Sequence, residues 1–150
     1  MNSNFNISLL AQHKRDRLGP ELPLATFRLL RLYGMQEIFG ESTGPALYMV
    51  GKSIGQAIES NSLTEFFELV MELKIGIASI MQQTERLIVI KMLECMTCSG
   101  LPVTGELFCD FEAGFIAGAI EKILAKTTKS TQTKSHSHGD DYCQFEVEIF

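Results

Sequence analysis

The chain is short of positive charge. Its 150 residues carry 13 Lys and Arg against 18 Asp and Glu, a formal net charge of −5. A general nucleic-acid binder needs a basic footprint, so that class is set aside. The one basic cluster, HKRDR from His13 to Arg17, reads as a solvated N-terminal arm. A long apolar run is missing too. The longest, LIVIKMLECM, falls well short of the ~20 residues a membrane helix requires. The opening residues, MNSNFNISLL, lack the basic start and long apolar stretch of a secretory signal, so a cytosolic protein is expected. In that setting the four cysteines, Cys95, Cys98, Cys109 and Cys143, are expected as thiols or metal ligands rather than disulfides. There is no internal repeat. There is no phosphate loop either: GKSIG lies inside an expected helix and lacks the Walker spacing.

What is present is an ordinary globular composition, 45% hydrophobic and 21% charged. A chain of this length buries roughly 70% of its unfolded surface and needs no staple to fold. Residues 1–21 are expected as an arm, with a short strand as one option, and residues 22–150 as a single domain. Leu24, Phe27 and Leu30 recur at helical spacing, with Arg28 and Arg31 elsewhere on the wheel, which predicts a helix from Leu22 to about Ile38. A second helix is expected at about 46–58, where Gly51 and Gly55 leave a smooth strip for close approach of another element. Ser62-Leu63-Thr64-Glu65 has the form of a capping box and opens a third helix. Two β-like runs follow, IGIASIM and LIVIKML, joined by QQTER. The longest helix is predicted over about 106–125, apolar on two stripes and so buried on much of its circumference. TKSTQTKS and the alternating YCQFEVEIF complete a second hairpin. Grouped helices and paired strands indicate an α+β fold with an antiparallel sheet, its two hairpins separated by a long helix.

Reactive residues are few. Cys95-Met96-Thr97-Cys98 is a Cys-x2-Cys pair. Alone it is half a zinc site, because structural zinc takes four ligands. A redox pair is a second option, but the motif does not open a helix after a strand. The plainest reading is two half-buried thiols at a strand end. HSHGDDYCQF holds His136, His138 and Cys143. With the loop centred on Gly139-Asp140, His136 falls opposite Cys143 on one sheet face, a start for a zinc or copper site, unless the histidines are only solvated loop residues. Glu106, Asp110 and Glu112 complement the dipole at the start of the long helix and need no acid–base role.

The C-terminal half resembles the 4-vinyl reductase, or predicted hydrocarbon-binding, domain family. The elements that carry the resemblance are Cys109, Asp110-Phe111, Gly114-Phe115 with Gly118, and Gly139-Asp140 with Cys143 and Phe145. LYMVGKSIGQAI resembles the family's earlier helix, so the likeness spans about residues 22–150. It implies a fold akin to the TRAPP vesicle-tethering subunits, with helices packed on a four-stranded antiparallel sheet. It also implies a hydrophobic or tetrapyrrole-like small-molecule ligand, a homodimer, and a role as carrier, chaperone or sensor. Zinc-binding members of the family use four positions that fall here on Cys109, Gln132, Ser135 and Cys143. Gln and Ser are poor zinc ligands, so no tightly held structural zinc is expected. His136 or His138 is the candidate replacement. Acylation, which in the tethering relatives uses a cysteine on an earlier helix, is not carried over, because no cysteine precedes Cys95.

The leading expectation is therefore a binding module for a hydrophobic small molecule. It works through a protein partner, with zinc as the one candidate cofactor. The alternatives are a tetrapyrrole vinyl reductase, for which the sequence shows no cofactor site, and a ligand-free dimeric scaffold.

Overall fold

In the computed structural model, which describes residues 6–150, the chain begins with a single helical turn. This turn, α1 (Ile7–Leu10), is capped by Asn6, whose side chain accepts from the Ser8 amide. It takes the place of a leading strand, and Ile7 packs against the core. The first five residues of the expected arm lie outside the described residues.

A helical run follows from Leu24 to Phe39: α2 (Leu24–Arg28), a π-helical turn (Leu29–Gly34) and α3 (Met35–Phe39). Its apolar stripe is only partly covered, with Phe27 half-buried. Leu24 and Leu30 are exposed, whereas Arg31 is buried. The two arginines turn inward because loop carbonyls there need donors. Arg28 donates through Nε to the Met96 carbonyl and through Nη2 to that of Ser99, and Arg31 Nη2 donates to the Phe108 carbonyl. Donation from a charged group to these half-buried carbonyls outweighs the preference of a leucine stripe.

After a 3-10 turn come α4 (Thr43–Ala57) and α5 (Leu63–Glu72). The capping box opens α5 as expected: Ser62 Oγ accepts from the Glu65 amide, and the Glu65 carboxylate accepts from the Asn61 amide. Strands β1 (Ile77–Gln83) and β2 (Leu87–Leu93) form the first hairpin. Ile75 does not join β1, because its amide caps α5 by donating to the Val70 carbonyl. The long helix α6 (Asp110–Leu124) is followed by β3 (Thr128–Lys134) and β4 (Cys143–Ile149). It starts four residues later than predicted. The Thr104 and Gly105 amides donate to the Ser137 carbonyl, and the Cys109 amide donates to Gln132 Oε1, which holds this stretch out of the helix.

The sheet is antiparallel and four-stranded in the order β1-β2-β4-β3. The hairpins therefore meet through their second strands, with Ile90 opposite Phe145 and Met92 opposite Cys143. One face carries Ile88, Ile90, Phe145 and Val147, all fully buried. Helix α6 packs there and is buried without a break from Glu112 to Ile120. On its other side it meets α4 at backbone distance. A Cβ added at Gly51 would lie 2.2 Å from the Phe111 carbonyl oxygen, and one at Gly118 would lie 2.1 Å from that of Lys52. Gly51 and Gly55 on α4 thus meet Gly114 and Gly118 on α6 within one chain.

Candidate metal centre

All four cysteines converge at the end of the sheet. Glu94 adopts the left-handed conformation just after β2 and turns the chain into a tight bend. The Ser99 amide donates to the Cys95 carbonyl and the Leu101 amide to that of Cys98, so the bend presents both thiols on one side. The Met96 amide donates to the Ile75 carbonyl and the two Arg28 bonds hold the rest. Cys109 stands immediately before α6, and Cys143 is the first residue of β4.

The four sulfur atoms lie within 4.8 Å of one another, and all four residues are buried. Cys98 Sγ is 2.9 Å from Cys143 Sγ and 3.5 Å from Cys109 Sγ, and Cys95 Sγ is 3.6 Å from Cys109 Sγ. A tetrahedron of thiolates with metal–sulfur bonds of about 2.3 Å has sulfur–sulfur edges of roughly 3.8 Å, so the observed separations bracket that value. Even the shortest contact is well beyond a disulfide bond of about 2.05 Å. The donor set is soft and complete, which suits zinc. With all four positions filled by protein, a metal held here would sit in a closed, structural kind of site.

Electrostatics within the cluster point the same way. Thiols donated by Cys109, Cys143 and Cys95 hold the Cys98 thiol far below its ordinary value. The Cys109 thiol is pushed up, because in donating to Cys143, Cys95 and Cys98 it gains more as a thiol than as a thiolate, and burial adds to this. Four thiols compete to carry negative charge in a dry pocket, and a bound cation removes that competition by favouring the thiolate at every position.

The positions that the family resemblance marked as ligands border the cluster. Gln132 is buried and fixes the Cys109 backbone through its Oε1, 3.0 Å from the amide nitrogen. Ser135 is buried next to Cys98, with its hydroxyl close enough to favour the Cys98 thiolate. The histidines stand elsewhere. Thr133 forms a bulge, so that Lys134 pairs with Gln144, and the next residues curl into a 3-10 turn (His136–His138). His136 therefore does not face Cys143 across a ladder. His138 Nδ1 lies 3.2 Å from Asp140 Oδ2 on an exposed turn, and neither histidine joins the four thiols. Sequence reasoning singled out Cys109 and Cys143 and left Cys95-x2-Cys98 aside as a separate pair. The signal that would have joined them was the count, two incomplete pairs summing to one complete set.

Beside the cluster lies a carboxyl with no solvent contact. Glu112 accepts from the Thr97 hydroxyl through Oε1, and its Oε2 stands 3.9 Å from Arg31 Nη2. Burial pushes its pKa above the usual carboxylate range, against the pull of Arg31.

The profile of the family described as "Protein of unknown function (DUF2507)" matches residues 24–148. The chain belongs to the DUF2507 family. Uncharacterized protein MJ0150 of Methanocaldococcus jannaschii is 33% identical over 148 residues, 94% of this chain and 84% of that protein. The DUF2507 chain shares its fold with a vinyl-4-reductase family protein from the same organism, with TM-score 0.68 and 23% identity over 87% of this chain and 83% of the other. It also shares it with the phenol-responsive sensory domain of the transcription activator PoxR, solved with phenol (TM-score 0.63, 11% identity, 85% and 75% covered). A third match is a trafficking protein particle complex subunit 3 from Naegleria fowleri, covalently bound to palmitic acid (TM-score 0.65, 14% identity, 85% and 93% covered). The vinyl-4-reductase and TRAPP-like architecture expected from the sequence is the one found. Among the described residues, no helix is long and apolar enough to cross a membrane.

Proposed function

We propose that the protein is a small-molecule-binding module whose ligand-bearing loops are held by one structural zinc ion on Cys95, Cys98, Cys109 and Cys143. The observation that carries the metal is the convergence of four buried thiols from three separated chain segments at tetrahedral spacing. Such a set stabilises the folded chain directly, because the unfolded chain offers no preformed site. The binding role is supported by the fold neighbours with phenol and palmitic acid and by clefts of about 250 to 410 Å3 in the helical layer. Those volumes reach the range of small-molecule sites. A role as carrier or sensor inside the cell follows from this reading.

Homodimer formation belongs to the same proposal. Leu24, Leu29, Ile38 and Met49 are all exposed on the outer helices, and a second copy of the chain would cover them.

Elemental analysis and native mass spectrometry of protein purified under reducing conditions test the proposal together. About one zinc per chain, a co-purifying or exchangeable small molecule, and a dimer mass are expected. Protein that folds with the same thermal stability after exhaustive chelation and holds no metal would overturn the zinc assignment. A monomer across the micromolar range would overturn the dimer.

A further inference from the structure

A cleft of about 410 Å3 lies between the N-terminal helical run and the loop that carries Cys109; Arg31, Gln36, Thr43, Thr104 and Asp110 supply its polar groups. Arg31 also lines an adjoining apolar cleft of about 250 Å3, whose walls include Phe27, Leu30, Met35 and Phe111. We infer that these two clefts are the ligand site of the module, and that they take an uncharged, mainly apolar molecule carrying a hydroxyl group. The inference rests on the small-molecule-binding reading above and names where that ligand sits and what it is.

Arg31 carries the argument. It is only 8% exposed and is the one buried residue of the π-helical turn. Such turns recur at functional sites because they displace a side chain from the regular helical path. A guanidinium has five N–H donors. Among the described residues Arg31 makes one hydrogen bond, to the Phe108 carbonyl, and its Nε has no acceptor. A buried charged donor set in such excess stabilises a ligand oxygen that can complete it.

The surrounding acids choose the ligand's charge. Asp110 faces the same cleft, and Glu112 lies behind Arg31 at 3.9 Å. An anionic ligand would satisfy Arg31 but set its charge beside the Asp110 carboxyl, which lines the same cleft. A cation would bring only donors and leave Arg31 as it is. A neutral hydroxyl both accepts from the guanidinium and donates to the Asp110 carboxylate. The apolar cleft that Arg31 also lines takes the rest of the molecule.

The same walls join ligand to metal. Phe108 and Asp110 flank Cys109, and Leu101 and Pro102 follow Cys98 closely, so the loop that closes the larger cleft is the one the metal fixes.

Fluorescence titration of the zinc-loaded full chain with 2-naphthol tests this. Saturable binding is expected, with naphthalene-2-carboxylate and 2-naphthylmethylamine competing at least about tenfold more weakly. Arg31→Met should weaken 2-naphthol about tenfold or more, the loss expected for a hydrogen bond to a charged group. Thr104→Trp, on the exposed rim, should abolish binding while zinc content and thermal unfolding stay unchanged. Saturable binding that survives Thr104→Trp would overturn the site and leave the binding-module reading standing. Preference for the carboxylate would overturn the ligand class. Zinc-loaded, folded protein with no saturable 2-naphthol binding would overturn the inference, and native mass spectrometry of co-purified ligand judges the broader reading independently.

Discussion

Two sets of metal-capable side chains behave in opposite ways. The two histidines are neighbours in sequence, yet the 3-10 turn that carries them leaves His138 on the surface with Asp140. The four cysteines are scattered from position 95 to position 143, yet their sulfur atoms fall within 4.8 Å. Spacing along a chain predicts a site only where one element carries all of it. Here the site is assembled by strand pairing. Met92 lies opposite Cys143, which places the first residue of β4 beside the end of β2, and the Cys95–Cys98 bend follows directly.

The sharpest way to break this contrast is Cys98→Ser or Cys143→Ser. Either should take zinc from about one equivalent to background. It should also cost several kcal/mol of stability, since the apparent binding free energy of a structural zinc site is on the order of 10 kcal/mol. Elemental analysis and thermal melts with and without chelator read both. Next in size is Gly55→Ala, whose new Cβ would lie 2.2 Å from the Phe115 carbonyl oxygen. Forcing α4 and α6 apart should cost about 1–3 kcal/mol, measurable by denaturant titration, and should weaken zinc retention because Cys109 rides at the start of α6.

A smaller effect separates the cluster from its acidic neighbour. Glu112 is raised by burial, so the folded chain keeps a proton that the unfolded chain releases above about pH 4. Stability from this source is present in acid and lost as pH rises through the folded-state value. Glu112→Gln should therefore match wild type near pH 4 and gain on it as pH rises toward neutrality, in melts run across that range. The smallest effect should come from the histidines. His136→Ala and His138→Ala should each leave zinc content unchanged, and any loss of metal would show that the turn contributes a ligand after all.

How much was legible varies with the kind of interaction. The alternation of Cys143, Phe145, Val147 and Ile149 gave the inward face of β4 directly, because a strand buried on one side repeats every two residues. The Ser62 cap and the Gly51–Gly55 strip were readable for the same reason: each acts over a few residues. The inward turn of Arg28 and Arg31 was not, since their partners are backbone carbonyls of a distant loop, and carbonyls look alike at every residue. The metal centre was half legible. Cys109 and Cys143 stand where the family resemblance puts ligands, but the other two came from a bend whose position depends on the β2–β4 pairing. Gln132 and Ser135, read as lost ligands, keep a place beside the sulfur cluster as its supports.

The wide separation of the four thiols also orders events in time. Cys98 and Cys143 are 45 positions apart, and the strands that join them are the central pair of the sheet. A growing chain therefore cannot enclose the metal until Cys143 has been synthesised and the two hairpins have met. On the proposed zinc reading, uptake of the metal would mark the completion of folding rather than its start, and zinc uptake followed during refolding would time that last step.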